Sequence, residues 1–173
     1  MQRLRDIAAS DVRYIILREK DLAEEEYLKL AQKALLIAGE KLILHGHPAA
    51  AQKLGCPRLH LPLPLLRQLP PEQRQEFAVL GASCHSVGEA LEAQRLGCTY
   101  ITAGHIFATA CKEGAAPRGL GFLREVCAAA GVPVYAIGGI HTAAQVRQTL
   151  AAGAAGACMM SGFMQGGYPW LRR

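Results

Sequence analysis

The feature that most constrains the fold is a repeated alternation of short apolar runs and amphipathic segments, at a period of roughly 20–25 residues, the length of one strand and one helix. The apolar runs are continuous and do not alternate with polar residues, which is typical of strands buried on both faces of a parallel sheet. We predict seven strands, at residues 12–17, 41–46, 58–63, 79–84, 99–104, 132–139 and 156–162. The pattern predicts an α/β fold, a (β/α)8 TIM barrel that lacks its first strand and most of its last helix.

The segments between the strands carry helix signals. The segment after Asp21 is the clearest, because acidic residues occupy its first turn, apolar residues recur every three or four positions and Gly39 ends it. Further helices are predicted at residues 48–54, 71–77, 87–96, 120–130 and 142–152. The proline-rich segment 61–71 is predicted to be a rigid loop, and residues 1–173 are predicted to form a single domain.

The length is short for this architecture. A barrel of eight strands and eight helices usually needs roughly 200 residues or more, and this chain has 173. The missing first strand and the curtailed last helix, after Met164, fall at the same seam because the first and last strands of a closed barrel are neighbours. Unpaired strand edges are usually covered, so we expect a partner chain there or a protein start upstream of Met1.

Composition excludes several classes of protein. With 51% hydrophobic and 19% charged residues, the chain is not disordered. It has no apolar stretch of about 18 residues, and charges interrupt residues 1–17, so we expect a cytoplasmic protein with no membrane span and no signal peptide. The six cysteines form no CxxC pair, which favours reduced thiols and no metal site. The basic residues are scattered, so nucleic acid is not an expected partner.

Function in such barrels collects at the carboxyl ends of the strands. Five of the six histidines follow predicted strands there, and the sixth, His60, lies within a strand and is predicted to be a core or lining residue. The polar residues at these ends include Arg18, Glu19, Lys20, His45, His47, Ser83, Cys84, His85, His105, Thr109, Cys111, Lys112, Arg118 and His141.

Two glycine-containing turns follow the last two strands, and such turns form a phosphate cradle in many barrels, helped by a helix N-terminus. We therefore predict that a phosphate is bound by residues of these turns, namely Gly138, Gly139, Ile140, Met160, Ser161 and Gly162. The alternative is a pair of tight turns without a ligand.

His105 is the candidate catalytic residue, because it follows Gly104 at a strand end and histidine exchanges protons near neutral pH. A purely structural histidine is the alternative. Arg18 and Lys20 are predicted to hold an anionic group, with a solvated loop as the alternative.

Four further side chains at the barrel mouth are predicted to contact substrate, and they are His45, Ser83, Cys111 and Lys112. His45 and His85 are weaker candidates than His105 for proton transfer. Cys111 is more often inert than nucleophilic, because no base partner is visible. His47 and His141 are predicted to be solvated loop residues.

Five segments in order, spanning almost the whole chain, resemble the thiamine phosphate synthase superfamily. They are ILREKDL (16–22), GASCHSVGEA (81–90), GHIFATACKEGAAPRGL (104–120), VPVYAIGGI (132–140) and AAGAAGACMMSGFM (151–164). The superfamily contains synthases, which couple a pyrimidine diphosphate to a thiazole phosphate with Mg²⁺ held by aspartates, and TenI-like thiazole tautomerases.

Departures from the synthase pattern point to the tautomerase branch. The synthases carry one metal-binding aspartate at the positions that here are His45 and Gly46. The loop that carries their second aspartate here reads HLPLPL (60–65) and has no carboxylate. The synthase glutamine is replaced by Ile16. Without carboxylate ligands Mg²⁺ would be poorly held. The tautomerase branch also carries histidine where synthases read G-P-V-F, and here that residue is His105.

The resemblance therefore implies a thiazole tautomerase, an isomerase that converts a thiazole carboxylate phosphate tautomer to its aromatic form. His105 would carry the proton, Arg18, Lys20 or Lys112 would pair with the carboxylate, and no metal or cofactor would be needed. The implied ligand is a phosphorylated thiazole and the implied assembly a homodimer. Two alternatives remain, a thiamine phosphate synthase with altered metal ligands and a non-catalytic, regulatory relative that binds a phosphorylated ligand.

Overall fold

The computed structural model describes residues 1–109 and 114–165. Within these ranges seven strands form one parallel sheet in the order of the sequence, β1-β2-β3-β4-β5-β6-β7. The strands are β1 (Ile15–Leu17), β2 (Leu42–His45), β3 (Arg58–Pro62), β4 (Val79–Cys84), β5 (Tyr100–Gly104), β6 (Val134–Ile137) and β7 (Gly156–Cys158). The prediction of an α/β fold with seven parallel strands is confirmed, and the architecture is a half-barrel of the TIM type.

Helices connect the strands. They are α1 (Gln2–Ala8), α2 (Glu24–Ala38), α3 (Pro48–Lys53), α4 (Leu63–Gln68), α5 (Pro71–Gln75), α6 (Val87–Arg95), α7 (Gly119–Ala129), α8 (Ala143–Ala151) and α9 (Ser161–Gln165), and a 3-10 turn (Gly39–Lys41) follows α2. Within the described ranges, none of them is both long and apolar enough to cross a bilayer.

Side-chain caps fix the starts of α6 and α8, two helices that begin near the carboxyl edge of the sheet. The Ser86 hydroxyl accepts from the Glu89 amide at 3.1 Å before α6. The Thr142 hydroxyl accepts from the Gln145 amide at 3.1 Å, and the Gln145 side chain accepts in return from the Thr142 amide at 3.0 Å. The Ser86 cap and the Thr142–Gln145 capping box satisfy amides that have no partner within the helix, so the turns that precede α6 and α8 are held in place.

Three predictions about secondary structure are wrong. The last strand, predicted at residues 156–162, covers only Gly156–Cys158, and α9 begins at Ser161. The first strand is shorter than residues 12–17 and covers only Ile15–Leu17. The segment 61–71 is not a loop throughout, because α4 occupies Leu63–Gln68 and buries Leu63 and Leu66. Proline is compatible with the first turn of a helix, where its missing N–H has no acceptor to lose, and Pro64 stands there.

The core lies between the sheet and the helices and is built from aliphatic side chains and alanines. Among the described residues β1 and β7 are edge strands, because β1 pairs only with β2 and β7 only with β6. All three residues of each edge strand are only half-buried. The prediction that a strand is missing between them agrees with this arrangement.

Candidate functional site

The polar residues of the candidate site meet at the carboxyl edge of the sheet. His45 ends β2, and Ser83 is the last residue but one of β4. His105 follows β5, and Gly138 and Gly139 follow β6. Met160 follows β7, and Ser161 and Gly162 are the first two residues of α9. Cys111 and Lys112 lie outside the described residues, so their predicted roles stay predictions.

A tyrosine from α2 joins the ends of β1 and β2. The Tyr27 hydroxyl donates to the Leu17 carbonyl at 3.0 Å and accepts from the His45 amide at 3.0 Å. Its buried ring stacks on His47, with ring centroids 3.8 Å apart. His47 lies in a loop, as predicted, but it is only half-exposed, because aromatic stacking holds the imidazole against the protein.

The surroundings of His45 are positive. Burial, followed by the charge of Arg18 and with smaller contributions from His47 and Lys20, lowers the pKa of His45 to about 4. Both Arg18 and Lys20 are exposed. At neutral pH the imidazole is uncharged and lies beside two cations, an arrangement that favours an anionic ligand.

A row of residues across four neighbouring strands places a polar cluster inside the half-barrel. His45 on β2 is in register with His60 on β3, His60 with Gly81 on β4, and Gly81 with Tyr100 on β5. Gly81 has no side chain, so the side chains of His60 and Tyr100 meet across it. A Cβ atom at Gly81 would overlap the Tyr100 ring.

His60 connects Tyr100 to Ser83. Its Nδ1 lies 2.8 Å from the Tyr100 hydroxyl and its Nε2 lies 2.9 Å from the Ser83 hydroxyl. The His45 ring stacks on the His60 ring at 5.4 Å. Burial, followed by the charge on His45, lowers the pKa of His60 to about 3, so His60 is neutral throughout the physiological range. The prediction of a buried core or lining histidine is confirmed.

His105 has an unusual backbone conformation. Its φ is +62°, in the left-handed region, which is energetically unfavourable for residues other than glycine. Residues in this conformation are enriched at functional sites. The residue is 5% exposed, and its Nε2 has no hydrogen-bond partner among residues 1–109 and 114–165. Its carbonyl accepts from the Arg118 amide at 2.8 Å, which ties the two ends of the β5–α7 connection together.

The turn after β6 packs directly on the segment that follows His105. The Phe107 amide donates to the Gly138 carbonyl at 3.0 Å. A Cβ atom at Gly138 would lie 2.8 Å from the His105 Cα, and one at Gly139 would overlap the Phe107 and Ala108 carbonyl groups. Both glycines also have a positive φ. The turn therefore requires glycine at both positions, because of the close contacts and because of the backbone conformation.

The two turns predicted to cradle phosphate lie next to each other. The Ser161 hydroxyl after β7 is 3.5 Å from Nδ1 of His141 after β6. The Gln145 side chain donates to the Gly139 carbonyl at 3.0 Å. Ile140 is buried, whereas Met160 and His141 are exposed. His141 is thus an exposed loop residue, as predicted, and the structure brings the two turns together.

Three of the described cysteines have thiol pKa values well above the ordinary value. Burial raises the pKa of Cys84 and Cys98 to about 12 and that of Cys158 to about 11. Because the thiolate is the reactive form, these thiols act as small core residues.

Magnesium, which the family resemblance implies, does not fit the residues present. No group of three or more His, Cys, Asp or Glu side chains in the described ranges is arranged to hold a metal ion. Mg²⁺ prefers oxygen ligands, and the position of the family aspartate is taken by His45, which lies beside Arg18 and Lys20. We therefore assign no step to a metal.

Tyr27 and Tyr100 are site residues that the sequence reasoning missed. Neither stands at the carboxyl end of a strand, since Tyr27 lies on a helix and Tyr100 begins β5. The signal that was available is Gly81, a glycine inside an apolar strand, which indicates close approach of another group.

Comparison with known proteins identifies relatives over most of the chain. The family described as thiamine monophosphate synthase matches residues 1–163. A putative thiamine-phosphate synthase 2 from Aquifex aeolicus is 33% identical over 149 residues, 81% of this chain and 77% of the relative. A thiamine-phosphate synthase 2 from Streptococcus pneumoniae is 32% identical over 165 residues, 90% of this chain and 76% of the relative.

A solved structure is similar as well. Thiamine phosphate pyrophosphorylase from Pyrococcus furiosus superposes with a TM-score of 0.77 at 26% identity, covering 93% of this chain and 79% of the other. The expected superfamily is confirmed. The prediction of a thiazole tautomerase is wrong, because relatives at 30–33% identity across most of the chain are named thiamine-phosphate synthase. A histidine at position 105 and missing carboxylates were not sufficient to assign the branch.

Proposed function

Because the chain belongs to the thiamine monophosphate synthase family, we propose that it is a transferase that makes thiamine phosphate from two phosphorylated precursors. The precursors are a pyrimidine diphosphate and a thiazole phosphate. A product with a single phosphate retains the one that the thiazole carries, so the diphosphate leaves. A new bond joins the two rings, and the diphosphate departs with the electron pair of the bond that breaks.

The observation that carries this proposal is the presence of two candidate anion-binding regions at one edge of the sheet. Arg18 and Lys20 lie beside the neutral His45 at the ends of β1 and β2. The glycine turn after β6 and Ser161 after β7 adjoin each other at the other end of the strand order. Two phosphorylated substrates need two such regions.

We assign the leaving diphosphate to the first region and the thiazole phosphate to the second. Arg18 and Lys20 stabilise the charge that grows on the diphosphate as its bond to the pyrimidine breaks. Gly138, Gly139, Ile140, Met160, Ser161 and Gly162 surround the thiazole phosphate, where glycine turns let backbone N–H groups approach it closely. His45 and Ser83 contact substrate between the two. The substrate contacts predicted for Cys111 and Lys112 stay predictions, because both residues lie outside the described ranges.

His105 has a different role in this reaction. Joining two rings with loss of diphosphate moves no proton between ring carbons, so the proton-carrier role predicted for it does not apply. Its Nε2 is buried and has no partner among the described residues, and we propose that it contacts a substrate ring.

The experiment is an assay of diphosphate release from the two precursors together and from each alone. We expect release only when both are present. In the double variant Arg18→Ala/Lys20→Ala we expect KM for the pyrimidine diphosphate to rise by about tenfold or more, since bonds to phosphate are charge-assisted. Lys33→Ala, an exposed lysine on α2, is the matched control and should be unchanged. Equal KM values in the double variant and the control would refute the assignment of the first region.

A second function is favoured by one specific observation, the lack of a metal-holding set among the described residues. In this alternative the chain binds a phosphorylated ligand of the same pathway without catalysis and regulates another process. Binding of both precursors without any diphosphate release would support it.

We also propose that the chain forms a homodimer and is located in the cytoplasm.

A further inference from the structure

Three polar side chains form a chain of hydrogen bonds inside the half-barrel. Tyr100 and His60 are buried, at 8% and 2% exposure, whereas Ser83 is half-buried at the carboxyl edge. The separations are 2.8 Å from the Tyr100 hydroxyl to Nδ1 of His60 and 2.9 Å from Nε2 to the Ser83 hydroxyl. The direction in which the protons point decides what Ser83 offers to a ligand.

A neutral imidazole has one N–H donor and one bare nitrogen acceptor. His60 therefore has two arrangements. In the first, Nδ1 accepts from Tyr100 and Nε2–H donates to Ser83. In the second, Nδ1–H donates to Tyr100 and Nε2 accepts the Ser83 proton, which would make His60 a base for a serine nucleophile.

Tyr100 decides between them. Burial raises the pKa of its phenol, so the hydroxyl keeps its proton. Among residues 1–109 and 114–165, that hydroxyl has one hydrogen-bond partner, Nδ1 of His60. In the second arrangement this buried phenol would have no acceptor, which costs roughly 1–3 kcal/mol. The first arrangement is therefore favoured, with the proton of His60 on Nε2.

The consequence reaches Ser83. If its oxygen accepts from Nε2–H of His60, its own proton is not used within this cluster and is available for another acceptor. Because Ser83 is half-buried at the carboxyl edge, a ligand oxygen at the barrel mouth can reach that proton. The serine is then a hydrogen-bond donor to an anion and not a nucleophile, because His60 does not take its proton.

We propose that Tyr100 and His60 are positioning residues that hold the Ser83 hydroxyl as a hydrogen-bond donor to a phosphate oxygen of the substrate. The inference rests on the proposed function for the kind of ligand, and on the geometry of Tyr100, His60 and Ser83 for the direction of the protons. Gly81 is required for this hydrogen-bonded arrangement, because its lack of a side chain lets His60 and Tyr100 meet.

The first test is spectroscopic and uses the unmodified chain. Nitrogen-15 NMR of labelled histidine distinguishes the two neutral tautomers, and His60→Gln assigns the signal. We expect the proton on Nε2 between pH 5 and pH 8, with no titration, because the pKa of His60 is lowered to about 3. A proton on Nδ1 would reverse the direction of the chain and overturn the proposal.

The second test measures affinity for inorganic pyrophosphate in four variants. Tyr100→Phe removes the proton that sets the tautomer, and we expect about tenfold weaker binding, the effect of one hydrogen bond to a charged group. Tyr135→Phe is the matched control, because Tyr135 contacts the Tyr100 ring edge-on in the same cluster; it should be unchanged. His60→Gln keeps an amide donor near the Nε2 position, so its affinity for pyrophosphate should be within about threefold of the wild type. The shorter side chain of His60→Asn reaches only the Nδ1 position, so its affinity should fall by about tenfold.

Ser83→Ala separates this inference from the proposed function. If Ser83→Ala binds pyrophosphate as tightly as the wild type, or if the wild type does not bind it, the donor role is overturned, whatever the assay of diphosphate release gives. If pyrophosphate binding depends on Ser83 and on the His60 tautomer but no coupled product forms, the proposed function fails and this inference stands.

Discussion

Gly81→Ala is the substitution whose effect follows most directly from the structure. Gly81 lies in β4 between His60 and Tyr100 in the same row of the sheet. A Cβ atom there would overlap three atoms of the Tyr100 side chain, including the hydroxyl oxygen. The ring cannot move aside freely, because it is 8% exposed and packs against His60 and Tyr135.

The expected cost has two parts. Forcing an extra carbon into a packed core costs about 1–3 kcal/mol. If Tyr100 moves, its hydrogen bond to His60 is lost, and leaving buried polar groups unsatisfied adds about 1–2 kcal/mol. The free energy of unfolding should therefore fall by about 2–5 kcal/mol, which for a chain of this size lowers Tm on the order of 10 °C.

The assay is urea denaturation and thermal unfolding, with Gly121→Ala as control. Gly121 lies in α7, and nothing is within 4 Å of a Cβ atom there. Alanine has the higher helix propensity, so the control should gain up to about 1 kcal/mol. In a Tyr100→Leu background the cost of Gly81→Ala should largely disappear, because the overlapping atoms are gone. A Gly81→Ala variant as stable as the wild type, or one equally costly in both backgrounds, would refute the reasoning.

Two further effects follow from named groups. The pKa of His60 is lowered to about 3 in the folded chain, so below pH 6.5 the unfolded chain takes up a proton that the folded chain refuses. The free energy of unfolding should fall by about 2 kcal/mol from this residue between pH 6.5 and pH 5, as measured by urea titration, and this loss should be absent in His60→Gln; equal losses in both proteins would contradict it. Thr142→Ala removes the hydroxyl that caps α8 and should cost about 1 kcal/mol in the same titration, whereas Thr142→Ser should cost little; an equal cost for both would show that the cap is not the reason.

The strand order was predictable from sequence because the buried strands of a parallel sheet are uninterrupted apolar runs, as at residues 79–84 and 99–104. The helix at Leu63–Gln68 was not, since prolines on both sides of it suggest a loop. Only the structure shows that Pro64 falls in the first turn, where it is tolerated.

The candidate site was predictable to the extent that its residues end strands, as His45, Ser83 and His105 do. The chain from Tyr100 through His60 to Ser83 was not, because it joins residues 40 and 23 positions apart and depends on the register of three strands. Local sequence also did not reveal that Tyr27 on α2 bridges β1 and β2. The predicted branch of the family was wrong for a related reason. A few substituted ligand positions are weaker evidence of function than similarity across 90% of the chain.

The central claim is that this chain joins a pyrimidine diphosphate to a thiazole phosphate. Mass spectrometry of the reaction mixture tests it most directly, with both precursors present, in parallel reactions with and without Mg²⁺. We predict one product whose mass equals the sum of the two precursors less diphosphate, formed in step with released diphosphate. Unchanged precursors in every reaction, or conversion of a thiazole tautomer phosphate without any joined product, would contradict the account.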